Sequence, residues 1–201
     1  NQVTTTQGNV SILAGSGLTA AGVTAGDAAT VESTGTGFDT NVAGGVSAGG
    51  SLSIRSGGNI ITPSLRSGGD LTVLAPNGAL RSGGENQGVD LAWRPGGAFT
   101  LAVGTDAQLR DVIGGGDISI SARSLSARSV DGGTNAVTLR ATGGDLTIFG
   151  SVTGGDVTLD SVGTTQLGTV DASGALALGG GERLSFTDVS GASITATGGF
   201  I

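Results

Sequence analysis

One short phrase recurs along almost the whole chain and restricts what it can fold into: Gly-Gly, a small polar residue, an aliphatic, Ser or Thr, then a second aliphatic. Clear copies are Gly50-Ser51-Leu52-Ser53-Ile54, Gly69-Asp70-Leu71-Thr72-Val73, Gly97-Ala98-Phe99-Thr100-Leu101, Gly116-Asp117-Ile118-Ser119-Ile120, Gly144-Asp145-Leu146-Thr147-Ile148 and Gly155-Asp156-Val157-Thr158-Leu159. Weaker copies begin near Gly8, Asn135, Gly174 and Ala192. Alternation of aliphatic and hydroxyl residues has the period of a strand with one face buried. The paired glycines supply backbone freedom at a corner that most side chains would forbid. Helix formers never accumulate in any window, because glycine and β-branched residues dominate throughout.

The spacing of the phrase selects the architecture. Onsets fall 19 residues apart from Gly50 to Gly69, from Gly97 to Gly116 and from Gly155 to Gly174. The interval from Gly69 to Gly97 is 28, which fits one turn plus a loop insertion carrying Glu85 to Gln87. Steps of 10 and 11 residues at Asp145 and Asp156 suggest half turns, in which a second face carries the same motif. A period near 19 suits one rung of a solenoid with two or three short strands, and is too short for a propeller blade. The fold expected is therefore all-β: a right-handed parallel β-helix of about ten rungs of roughly 19 residues. It forms one body over 1–201, least regular over 20–45, where degenerate rungs or a loop excursion are expected.

Composition agrees with a narrow cylinder. The chain has 41 Gly, five Phe, one Trp and no Tyr or Met among its 201 residues, so its core must be built from small aliphatics. A thick sandwich usually relies on more aromatic bulk. Only 12 % of residues are charged, too few for a typical disordered chain.

What is missing narrows the chemistry. Without Cys there is no disulfide framework or thiolate metal site, and without His the commonest general base is gone. A net charge of −7 disfavours nucleic acid as a partner. No run of about 18 apolar residues is present to cross a membrane as a helix. The chain begins at Asn1 without a signal peptide and ends on apolar Gly199-Phe200-Ile201, as expected of a piece of a longer protein.

Three groups of residues are candidates for chemistry. Gly-Gly-Asp at Asp70, Asp117, Asp145 and Asp156 is reminiscent of a calcium β-roll, but the Asp follows the glycines too closely and no nine-residue run exists. Capping of the corner by the Asp side chain, through local backbone N–H groups, is the simpler expectation. Paired carboxylates for glycoside chemistry would have to come from Asp106 with Asp111, Asp156 with Asp160, or Asp145 with Asp156. Sugar clefts usually add aromatic platforms, and Trp93 alone does not supply one. The expectation is therefore no catalytic residue, no cofactor and no metal. Finally, Arg55, Arg66, Arg81 and Arg94 each stand three residues ahead of the second Gly of a Gly-Gly pair. They suggest a surface-binding stripe along one edge for acidic glycans or carboxylates. The plainer reading pairs them with acids on neighbouring rungs.

Repeats such as Ser67-Gly68-Gly69-Asp70-Leu71-Thr72-Val73 and Thr142-Gly143-Gly144-Asp145-Leu146-Thr147-Ile148 resemble those of filamentous-haemagglutinin-type exoproteins. The resemblance extends over nearly all of the chain from about Gly44. It implies export to a Gram-negative cell surface by a two-partner or autotransporter route. The function it implies is a structural, adhesive shaft that meets host or neighbouring-cell surfaces, including their glycans. Two alternatives stand beside it: a polysaccharide-acting β-helix enzyme, and an extracellular fibre that grows by end-to-end stacking of copies.

Overall fold

The computed structural model describes residues 1–37, 39–82 and 92–198. Among them there is no helix, and every paired strand runs parallel to its neighbours. The chain winds as a β-solenoid of about ten turns. One face is a sheet of ten strands: Val10–Ala14, Ala29–Ser33, Leu52–Ser56, Leu71–Ala75, Phe99–Val103, Ile118–Ala122, Val137–Ala141, Val157–Ser161, Ala175–Gly180 and Ser193–Gly198. Nine spacings of about 4.8 Å make this face about 43 Å long.

Register on this face keeps like above like. Leu71 pairs with Leu52 below it and Phe99 above it, and Ile118, Val137 and Val157 continue the same inward column. The next residue along each strand points outward and is a hydroxyl on nine of the ten levels, running from Ser11 and Thr30 through Thr100 and Ser119 to Thr158; Ala177 interrupts it before Thr195. The inward aliphatics form one continuous core, with Val31, Leu71, Val73, Leu139 and Leu159 wholly shielded from solvent. Each such side chain contributes about 1.5–3 kcal/mol by leaving water, which is how a chain poor in aromatics holds together. Its largest core members, Trp93 and Phe99, meet edge to face with ring centres 5.8 Å apart.

The other two faces share the remaining strands. The second includes Leu18–Ala20, Thr40–Val42, Ile60–Ile61, Leu80–Arg81, Asp106–Gln108 and Ser124–Ala127. The third includes Gln2–Thr4, Gly22–Ala25, Val46–Ala48, Leu65–Ser67, Ala92–Pro95, Asp111–Ile113 and Ser129–Asp131. Higher up, single long strands, Leu146–Gly154, Thr164–Ala172 and Arg183–Ser190, run across both. The short steps at Asp145 and Asp156 are thereby explained: Leu146 stacks on Leu125 of the second face, while Val157 stacks on Val137 of the ten-strand face.

Rung length follows from the register. Successive steps on the ten-strand face are 19 (Val10 to Ala29), 23 (to Leu52), 19 (to Leu71), 28 (to Phe99), 19, 19, 20, 19 and 18. Residues 20–45 hold stacked strands, and their surplus length is placed in corners, where Gly37 and Gly45 take φ of +77° and +81°. The insertion expected at Glu85 to Gln87 lies outside the described residues.

The recurrent glycine pairs turn out to serve a different purpose from the one the sequence suggests. Gly49, Gly68, Gly96 and Gly115 are absent from the positive-φ positions. They stack instead, each over the carbonyl of the glycine one rung earlier (Gly26, Gly49, Gly68 and Gly96), so closely that a Cβ would overlap that oxygen. Corners hydrogen-bond rung to rung as the strands do, for example Gly69 N–H to Gly50 O at 3.1 Å and Gly97 N–H to Gly69 O at 3.0 Å. Glycine is required there by backbone approach.

Candidate functional site

The aspartates of the Gly-Gly-Asp corners are engaged between rungs. Asp70 accepts from the Ala98 N–H at 2.9 Å, Asp117 from Ala136 at 3.0 Å, Asp145 from Thr164 at 2.7 Å and Asp156 from Ala175 at 2.8 Å. Asn9, Asp39 and Asn59 do the same for Ala28, Asn59 and Ala79. Each therefore caps a corner, as expected, but the amide it caps belongs to the next rung instead of its own. The capped residue sits where the chain bends into a strand and its N–H needs an acceptor. On the ten-strand face Asp alternates with Ala along this column: Asp70, Ala98, Asp117, Ala136, Asp156, Ala175. Alternation keeps carboxylates about 9.6 Å apart, where adjacent rungs would hold them at about 4.8 Å and repelling. Among the described residues no three acidic side chains gather around a common point.

The carboxylate pairs weighed for glycoside chemistry are dispersed. Asp106 and Asp111 belong to strands of the second and third faces, and Asp145 and Asp156 open strands on different faces. Asp156 and Asp160 share one strand but stand about 13 Å apart along it, and Asp160 faces Arg140 at 3.6 Å.

The four arginines do not share one edge. Arg55 lies on the ten-strand face, 3.9 Å from Glu32 on the rung below, and Arg81 lies on the second face beside Ile61. Arg66 and Arg94 alone stack, in direct register on the third face. Their spacing from the glycines was the same, but the corners between are of unequal length, so equal offsets led to different faces.

The third face carries the most developed polar concavity, a groove of about 390 Å³ between rungs. Its floor is the buried column Val112, Val130 and Val152. Outward neighbours of that column line it: Asp111, Ser129 and Ser151 on one side, Ile113, Asp131 and Thr153 on the other, with Arg94 and Arg128. Arg128 occupies the single-residue corner between Ser124–Ala127 and Ser129–Asp131. Its guanidinium grips Asp111 with two contacts, Nε to Oδ1 at 2.9 Å and Nη2 to Oδ2 at 2.7 Å, and the Ser129 hydroxyl also donates to Oδ1. Asp111 is thereby a saturated acceptor, poorly suited to be a free base or nucleophile. Three of the five guanidinium donors of Arg128 remain for other acceptors. Asp131 accepts from the Gly133 N–H at 2.9 Å.

Above the Arg128 corner a one-residue bulge interrupts the register between Ile148 and Ser151. It turns Phe149 outward, 74 % exposed. Sequence reasoning overlooked both Arg128 and Phe149. The available signal was the step of 20 from Val137 to Val157, one residue longer than its neighbours.

Comparison with family models, with curated proteins and with solved structures finds no match to this chain.

Proposed function

We propose that this chain is the structural shaft of a bacterial surface protein, exported to the cell exterior, that holds adhesive contacts at a fixed distance and orientation. The observation that carries this reading is the unbroken ladder of the ten-strand face, whose like-on-like register persists through insertions of four and nine residues beyond the usual 19. A stack in which every rung bonds to the next is stiff along its axis, and stability accumulates by nearest-neighbour contacts. The resemblance of its repeats to filamentous-haemagglutinin-type exoproteins supports the setting: a Gram-negative surface, with host or neighbouring cells as partners. The outward hydroxyl column keeps the longest face polar with little charge, which suits a surface exposed to water on all sides.

Antibody labelling and protease shaving of intact producing cells test this directly. Labelling of unpermeabilised cells, and loss of the label after shaving, is the expected result. Detection only after lysis overturns it.

A further inference from the structure

We propose that the third-face groove, together with Phe149 at its rim, is a subsite for a neutral saccharide. The proposal gives the adhesive reading above a ligand class and depends on that reading only for its biological setting. Phe149 stands two residues from the groove-lining Ser151, and the intervening Gly150 N–H bonds the Arg128 carbonyl at 2.8 Å. An exposed aromatic ring is thus held at the same corner as the Arg128–Asp111 fork. Solvent exposure of a Phe ring is costly, and here it is imposed by the bulge, because Ile148 and Val152 on either side remain buried in the core.

A hexose ring presents an apolar C–H face and a polar rim of hydroxyls. The C–H face suits the Phe149 ring. The rim suits the remaining donors of Arg128 and the hydroxyls of Ser151 and Thr153, which lie on strands anchored by the buried valines. Charge selects the neutral member of the class: the groove is framed by two guanidiniums, Arg94 and Arg128, and two carboxylates, Asp111 and Asp131, so neither sign is in excess. Its strands span four rungs, three spacings of about 4.8 Å, which is room for a short oligosaccharide.

Calorimetric titration of the whole chain with mannotriose, cellotriose and chitotriose, and with trigalacturonate as an acidic comparison, tests the inference. Binding of at least one neutral trisaccharide is expected, weakened about tenfold or more by Phe149→Ala and unchanged by Leu13→Ala, a residue equally exposed on the ten-strand face. Phe149→Ala should retain the parent melting curve, because the ring contributes little buried surface. Arg128→Lys, which keeps the charge and loses the fork, should weaken binding as well. No binding of any neutral trisaccharide, undiminished binding by Phe149→Ala, or binding of trigalacturonate alone overturns the proposal. Such a failure leaves the surface-shaft reading intact, since that reading rests on where the chain is exposed.

Discussion

The lower and upper parts of the solenoid solve the same stacking problem with different slack. Below Ala75, rung steps vary from 19 to 23, each turn is cut into three short strands, and corners such as 34–39 absorb extra residues. From Phe99 upward the steps stay between 18 and 20, and the second and third faces merge into strands of eight or nine residues. Trp93 and Phe99 fill the core where the two regimes meet, directly after the longest rung. Variation in length is thus confined to corners, while inward columns pass unshifted from one regime to the other. What the stack protects is vertical register, because sliding one rung would bring outward hydroxyls over inward aliphatics.

If slack distinguishes the two parts, truncation should hurt more in the upper one. Leu139→Ala is expected to cost toward the upper end of about 2–5 kcal/mol, and Leu52→Ala, equally buried, toward the lower end, because a tight rung collapses less readily around a cavity. Urea unfolding of the two variants followed by circular dichroism decides the matter; equal losses would remove the distinction. Corner glycines offer a sharper contrast. Gly115→Ala places a methyl on the Gly96 carbonyl and should cost about 2–3 kcal/mol, whereas Gly15, with open space around it, should accept Ala with little change in melting temperature. The smallest expected effect concerns the inter-rung caps. Asp117→Ala should cost about 1–2 kcal/mol and speed hydrogen exchange at the Ala136 amide, while Asp117→Asn, which keeps the acceptor, should do neither.

Much of this was legible in the residues themselves. The Leu-Thr-Val and Ile-Ser-Ile alternations at Leu71–Val73 and Ile118–Ile120 reveal strands, and the interval between them reveals the rung, because identical levels must repeat what they contact. The half-turn steps at Asp145 and Asp156 likewise reported a second face. Local pattern does not reveal what depends on the neighbouring level. The glycine pairs read as flexible corners, yet the constraint on Gly68 comes from Gly49, 19 residues away. The Asp caps read as local for the same reason. Arg55, Arg66, Arg81 and Arg94 share an offset in sequence, but corner lengths between them decide which face each reaches. Phe149 looks like any other aliphatic-flanked aromatic until the single extra residue of its rung is counted against the rungs on either side.

The 19-residue turn has a consequence for distance. Stretched out, those residues would reach about 65 Å, yet wound into one level they add only about 4.8 Å of height. The ten levels reach about 43 Å, which is no more than the roughly 48 Å radius of gyration that a disordered chain of the same length would have. A coil of equal mass would therefore wander as far for less order. Winding the chain trades reach for certainty of position: whatever is mounted at one level is held at a known height and on a known side, and to extend that placement to about 1000 Å would take on the order of 4000 residues.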